Sequence, residues 1–185
     1  MKLFLCVLLA AFSVPCIAQD KALRIVFLPD SGQFAAAARE YEALWASEGA
    51  KITAAMEGAS GLKFENREVK AMVLEVSSDS GYREKPMHLR ASYPPDTKKA
   101  TLIHELGHRL QSDVLHQGDD EHKYLFLWIY DVWVKLYGQE FADAQVAVEK
   151  QRGRMYPAAW EYALALTAEQ RAAKWKETLA ERTPR

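Results

Sequence analysis

Thr101-Leu102-Ile103-His104-Glu105-Leu106-Gly107-His108-Arg109-Leu110-Gln111 is the stretch on which the reading of this chain turns. At about 100° per residue, a helix through it brings His104 and His108 into one narrow arc a single turn apart, with Glu105 beside them. Leu102, Ile103, Leu106 and Leu110 fall on the opposite side, so the spacing predicts an amphipathic helix with an apolar back and a polar front. Two imidazoles at i and i+4 are the arrangement by which one helix binds a zinc ion, and a glutamate directly after the first is placed to take a proton from water. His104 and His108 are therefore candidate metal ligands and Glu105 a candidate general base. Asp96 or Thr97, after Pro94-Pro95, is the expected N-cap of a helix over 98–111. Gly107 costs about 1 kcal/mol in a helix interior relative to alanine, and close approach of a neighbouring group is one reason to tolerate it.

The N-terminus bounds the compartment. Residues 1–18 carry a single early Lys2, an uncharged apolar run from Leu3 to Val14, and small residues at Cys16 and Ala18, the pattern of a secretory signal cleaved before Gln19. The expectation is a secreted or periplasmic protein with one domain over 19–185, since the apolar run is short for a membrane span. Both cysteines, Cys6 and Cys16, fall within the signal, which leaves the mature chain no disulfide and no thiolate nucleophile or ligand. A net charge of −1 gives no electrostatic footprint for nucleic acid or for a polybasic membrane surface.

Strand patterns precede the motif and helical patterns follow it. Short strands are expected over 23–28, 64–76 and 87–93, the last flanked by Pro86 and Pro94 as an edge strand would be, with a helix over 33–56 that Gly49 threatens to split. After the motif, helices are expected over 121–137 ended by Gly138, 140–151 ended by Gly153, 157–166, and 168–181 opened by the capping box Thr167-Ala168-Glu169-Gln170. Strands first and helices second indicate an α+β domain.

A short sheet leading into an HExxH helix, here His104-Glu105-Leu106-Gly107-His108, resembles the zincin-like zinc metallopeptidases. The resemblance implies a Zn2+ cofactor on His104 and His108, Glu105 as general base, a peptide or protein substrate, and a sheet edge, near 87–92, on which a substrate peptide pairs as an added strand. It covers only the active-site helix closely. Gln111 and Val114 stand where a metzincin would carry glycine and histidine, so that subgroup is excluded. The third ligand stays open among His122, Glu121, Glu161 and His116. His122 leads because four of the five histidines lie within 104–122, and Glu161 enters because some zincins take a glutamate from a later helix. On a helix starting at Glu121, His122 shares a face with Phe126, Ile129, Trp133 and Leu136, which is equally the position of a structural histidine. Asp119, Asp120 and Glu121 suit a helix start and could supply a carboxylate behind a ligating imidazole. Tyr124, Tyr130 and Tyr156 are candidate donors to an oxyanion, and His88 is a surface histidine or a groove residue. The alternative class is a non-catalytic zinc- or peptide-binding protein on the same scaffold.

Overall fold

The computed structural model describes residues 22–65, 68–81, 85–115 and 120–182. The expected signal segment, and His116 and Asp119, lie outside them. In chain order the elements are β1 (Arg24–Pro29), α1 (Ala35–Ser60), β2 (Glu68–Leu74), β3 (Met87–Arg90), α2 (Pro95–Gln111), α3 (Glu121–Tyr137), α4 (Gln139–Glu149), α5 (Tyr156–Leu164) and α6 (Ala168–Arg182). This is an α+β arrangement, with a small N-terminal sheet and a helical remainder. No described helix is long and apolar enough to cross a membrane.

The sheet has the order β1-β2-β3, with both pairs parallel. Alternation does what it promises: Ile25 and Phe27 of β1, and Val69, Ala71 and Val73 of β2, are buried while Arg24, Glu68 and Lys70 face water. The helix between these strands runs unbroken through Gly49, where a β-carbon would meet the Trp45 ring at 2.7 Å. It stops at Gly61, whose φ of 71° is the left-handed cap that glycine adopts at no steric cost.

β3 ends the sheet, but its outer side is occupied. The chain returning from β2 lays Asp79 antiparallel to His88, with His88 N–H donating to Asp79 O at 2.9 Å and Asp79 N–H to His88 O at 3.1 Å. Arg90 N–H donates to Ser78 Oγ at 3.0 Å, and the Arg90 carbonyl accepts from Tyr41 Oη at 3.0 Å. The outward-facing backbone groups of His88 and Arg90 are thus satisfied by the chain itself. The expected free edge for an added peptide strand is corrected: pairing there would have to displace the 78–79 segment.

α2 begins at Pro95, with Pro94 as N-cap, two residues before the expected Asp96 cap and three before Thr97. A proline at N1 has its φ preset and loses no hydrogen bond. The larger departure is burial. From Thr97 to Leu110 only Lys99 and Arg109 escape full burial, because α1, α3, α4 and β3 all pack on this helix. Its polar front therefore faces protein rather than solvent. α3 is also central, with Leu125 through Tyr130 all buried. The two helices meet at Gly107, where a β-carbon would lie 2.6 Å from Leu125 Cδ1 and 3.2 Å from the Trp128 ring. The glycine is the close approach its helix cost suggested. Gly107→Val is expected to destabilise by about 1–3 kcal/mol or more from overpacking and to lower the thermal midpoint by at least ~3 °C. An unchanged midpoint in a melting experiment would show that the helices do not pack closely at this position.

Candidate metal centre

Close packing at Gly107 brings the first turn of α3 over the motif of α2. His104, His108 and His122 offer nitrogen atoms that all lie within 4.8 Å of one another. His104 is fully buried, His108 nearly so and His122 half-buried. The His104 and His108 Nε2 atoms are 3.1 Å apart, and the His122 ring centre lies 5.4 Å and 4.8 Å from theirs. Phe126 and Tyr156 close the cluster: the Tyr156 ring stacks at 5.9 Å on His104 and sits 4.3 Å from His122, and Phe126 is 5.6 Å from His122. Burial, and then His108 and Arg152, hold the His104 imidazole neutral; burial, and then His104 and His108, push His122 down to about 3.

Each motif histidine is backed by a carboxylate. Glu149 Oε1 is 2.8 Å from His104 Nδ1, and Glu121 Oε2 is 3.1 Å from His108 Nδ1. Neither Nδ1 makes a hydrogen bond at this geometry, so these are close contacts that a small ring rotation would turn into hydrogen bonds. Glu149, at the end of α4, is completely buried; it accepts from Trp160 Nε1 at 3.1 Å and has Arg152 Nη1 at 3.5 Å. Desolvation raises its carboxyl to about 7, although Arg152 and Trp160 oppose the rise.

This donor set fits a zinc ion. Carboxylates at both Nδ1 atoms favour the tautomer protonated there, which leaves two Nε2 lone pairs facing each other. Two such lone pairs at 3.1 Å repel unless a metal ion or a shared proton lies between them. Tetrahedral zinc with bonds of about 2.0–2.1 Å sets its ligand nitrogens about 3.3 Å apart, close to the spacing found here.

His122 is thus the third histidine of the cluster. Of the other candidates, Glu121 stands behind His108 instead of in the ligand group, and Glu161 is exposed on α5. His88 is at the surface, 2.8 Å from Asp79. Tyr130 donates to Asp143 and Tyr124 accepts from Arg182, so Tyr156 is the tyrosine that adjoins the histidines. Sequence reasoning missed Glu149 and Arg152. A signal for Glu149 was present: it lies on the stripe Ala142, Gln145, Val146, Glu149, all buried, so a carboxylate occupies the inward face of α4.

Glu105 opens on a cavity of about 410 Å³ that Arg90, Tyr93, Arg152 and Tyr156 also line. Its side chain is 5% exposed and has no hydrogen-bond or ion-pair partner among the described residues. Burial, then Glu149, raises its carboxyl to about 8, against the lowering effect of Arg152. Tyr156 both lines this cavity and covers His104 and His122, so one side chain joins the two sites. No family model, no curated protein and no solved structure matches this chain.

Glu149→Gln tests the backing of His104. The amide keeps the shape and the Trp160 acceptor but loses the charge, so zinc affinity is expected to fall by ~10–100-fold in a competitive chelator titration. Unchanged affinity would make Glu149 a structural partner of Trp160 and Arg152 only.

Proposed function

We propose that this protein is a zinc-dependent metallopeptidase of zincin-like architecture that hydrolyses peptide bonds. The observation that carries the reading is the pair of Nε2 atoms 3.1 Å apart, each imidazole backed by a carboxylate, on the helix that also presents to a cavity Glu105, without a partner among the described residues. His104, His108 and His122 would hold the ion. A zinc ion bound there supplies Lewis-acid chemistry, polarising a carbonyl and acidifying water. Glu105 accepts the proton of the attacking water at its carboxylate and passes it to the leaving amine. A carboxyl that titrates near 8 without metal is brought toward neutrality by a nearby positive charge, which matches it to proton transfer at ordinary pH. Tyr156, whose hydroxyl burial holds protonated, donates to the developing oxyanion. Because the outer side of β3 is already paired, substrate approaches from the cavity rather than as an added strand.

The test is elemental analysis of protein purified without added metal, followed by digestion of an unstructured protein. One equivalent of zinc per chain is expected, with cleavage abolished by chelator and restored by zinc. Zinc at full stoichiometry without cleavage of any peptide library would establish the non-catalytic binding protein instead.

A further inference from the structure

Two guanidinium groups that proton transfer does not require line the cavity beside Glu105. Arg90 and Arg152 both line it, and both guanidinium groups sit over the Tyr93 ring, at 5.3 Å and 5.0 Å from its centre. Glu105 is the only carboxylate among the described lining residues. Each arginine is anchored on one side. Arg90 Nε donates to Val76 O at 2.9 Å and has Glu75 at 3.3 Å, while its two terminal nitrogens have no hydrogen-bond partner among the described residues. Arg152 Nη2 donates to Thr101 Oγ1 at 2.7 Å, Nη1 faces Glu149 at 3.5 Å, and its buried Nε is unpartnered. A guanidinium group held at Nε over an aromatic platform, as Arg90 is, keeps its two terminal nitrogens free in fixed orientation, which suits bidentate capture of a planar anion, while Arg152, with both terminal nitrogens engaged and its Nε buried, adds charge beside that fork. The volume is that of a small-ligand site.

We propose that Arg90 and Arg152, on the Tyr93 platform, form an anion subsite for a carboxylate of the substrate, next to the bond that Glu105 helps to hydrolyse. This rests on the peptidase reading for the word substrate, but not for the binding. The carboxylate is either a peptide C-terminus or an acidic side chain one or two residues from the scissile bond. Either would be oriented by Arg90 while Arg152, tied to Thr101 and Glu149, links the subsite to the buried carboxylate behind His104.

The experiment uses the zinc-loaded protein and two matched pairs of probes: an N-acylated dipeptide as free acid and as amide, and a peptide blocked at both ends with an internal Glu or Gln. KM from hydrolysis and Kd from calorimetry are both measured. The expected result is an acid preference of about 10–100-fold in one pair, which identifies the source of the carboxylate. Arg90→Gln should remove that preference by raising KM for the acid much more than for the amide, and high salt should weaken it. Arg90→Lys, which keeps charge without the fork, should be intermediate, and it serves as the reporter if Arg90→Gln melts early. Hydrolysis with no acid preference in either pair would overturn the subsite and leave the peptidase reading intact. Absence of hydrolysis with an Arg90-dependent acid preference in Kd would do the reverse. Equal Kd values for acids and amides overturn the subsite whatever the activity.

Discussion

Glu105→Gln is expected to retain one zinc per chain and to cleave an unstructured protein ~10²- to 10⁴-fold more slowly than the parent. The amide keeps the size of the side chain and removes its capacity to take a proton, and no other carboxylate among the described residues lines the cavity to replace it. Equal rates would show that the base lies elsewhere. The same variant has a second signature in metal-free protein. In the folded chain the carboxyl titrates near 8, against an ordinary value of 4.5, so between these the folded state holds a proton that the unfolded chain has released. Stability associated with the neutral acid is present at low pH and lost as pH rises through about 8. Glutamine does not ionise. The variant should therefore melt roughly 5 °C or more above the parent at pH 9 in chelator, with little difference at pH 5. A gain of equal size at both pH values would point to packing rather than charge.

His122→Leu is expected to cost zinc affinity more than the ~10–100-fold that loss of an outer carboxylate costs, because it would remove one of the three proposed ligands. Leucine suits the neighbourhood, which Phe126 and Tyr156 supply, so the metal-free fold should tolerate it. In the parent the His122 imidazole stays neutral in the folded state down to about 3, whereas in the unfolded chain it protonates near 6.5. The parent therefore loses stability as pH falls through that window and the variant does not lose this share. Thermal midpoints with and without chelator, at pH 7 and pH 4, separate the effects. A zinc-dependent midpoint shift equal to the parent's would remove His122 from the ligand set.

How much of this could be read from residues alone depends on how local the cause is. α3 begins at Glu121 and ends before Gly138 as expected, because Asp120 accepts from Lys123 N–H and Gly138 adopts a φ of 89°. The Thr167 capping box forms as written, with Thr167 N–H donating to Gln170 Oε1 at 2.8 Å and Gln170 N–H to Thr167 Oγ1 at 3.3 Å. The α2 pair and His122 were legible for the same reason: helical phase is a local property. The parallel register of β3, the closing of its outer side by Asp79 and the full burial of α2 come from contacts between distant segments, which periodicity does not encode. Glu149 and Arg152 lie 45 and more residues after His104 in sequence, so nothing near the motif announced them. The Gly107 approach sits between the two cases. Its helix cost was visible, while Leu125 and Trp128 as the reason were not.

The bond from Trp160 to Glu149 gives the centre an optical reporter. The indole donates at 3.1 Å to the carboxylate that faces His104 at 2.8 Å, and its ring stacks on Phe126 at 3.8 Å, so it senses charge at the histidines through a single intervening group. Loading zinc should therefore change the emission of Trp160 in proportion to occupancy, and a Trp160→Phe chain should lose that component while the other four tryptophans remain. Metal uptake could then be followed on the millisecond scale without any added dye or substrate.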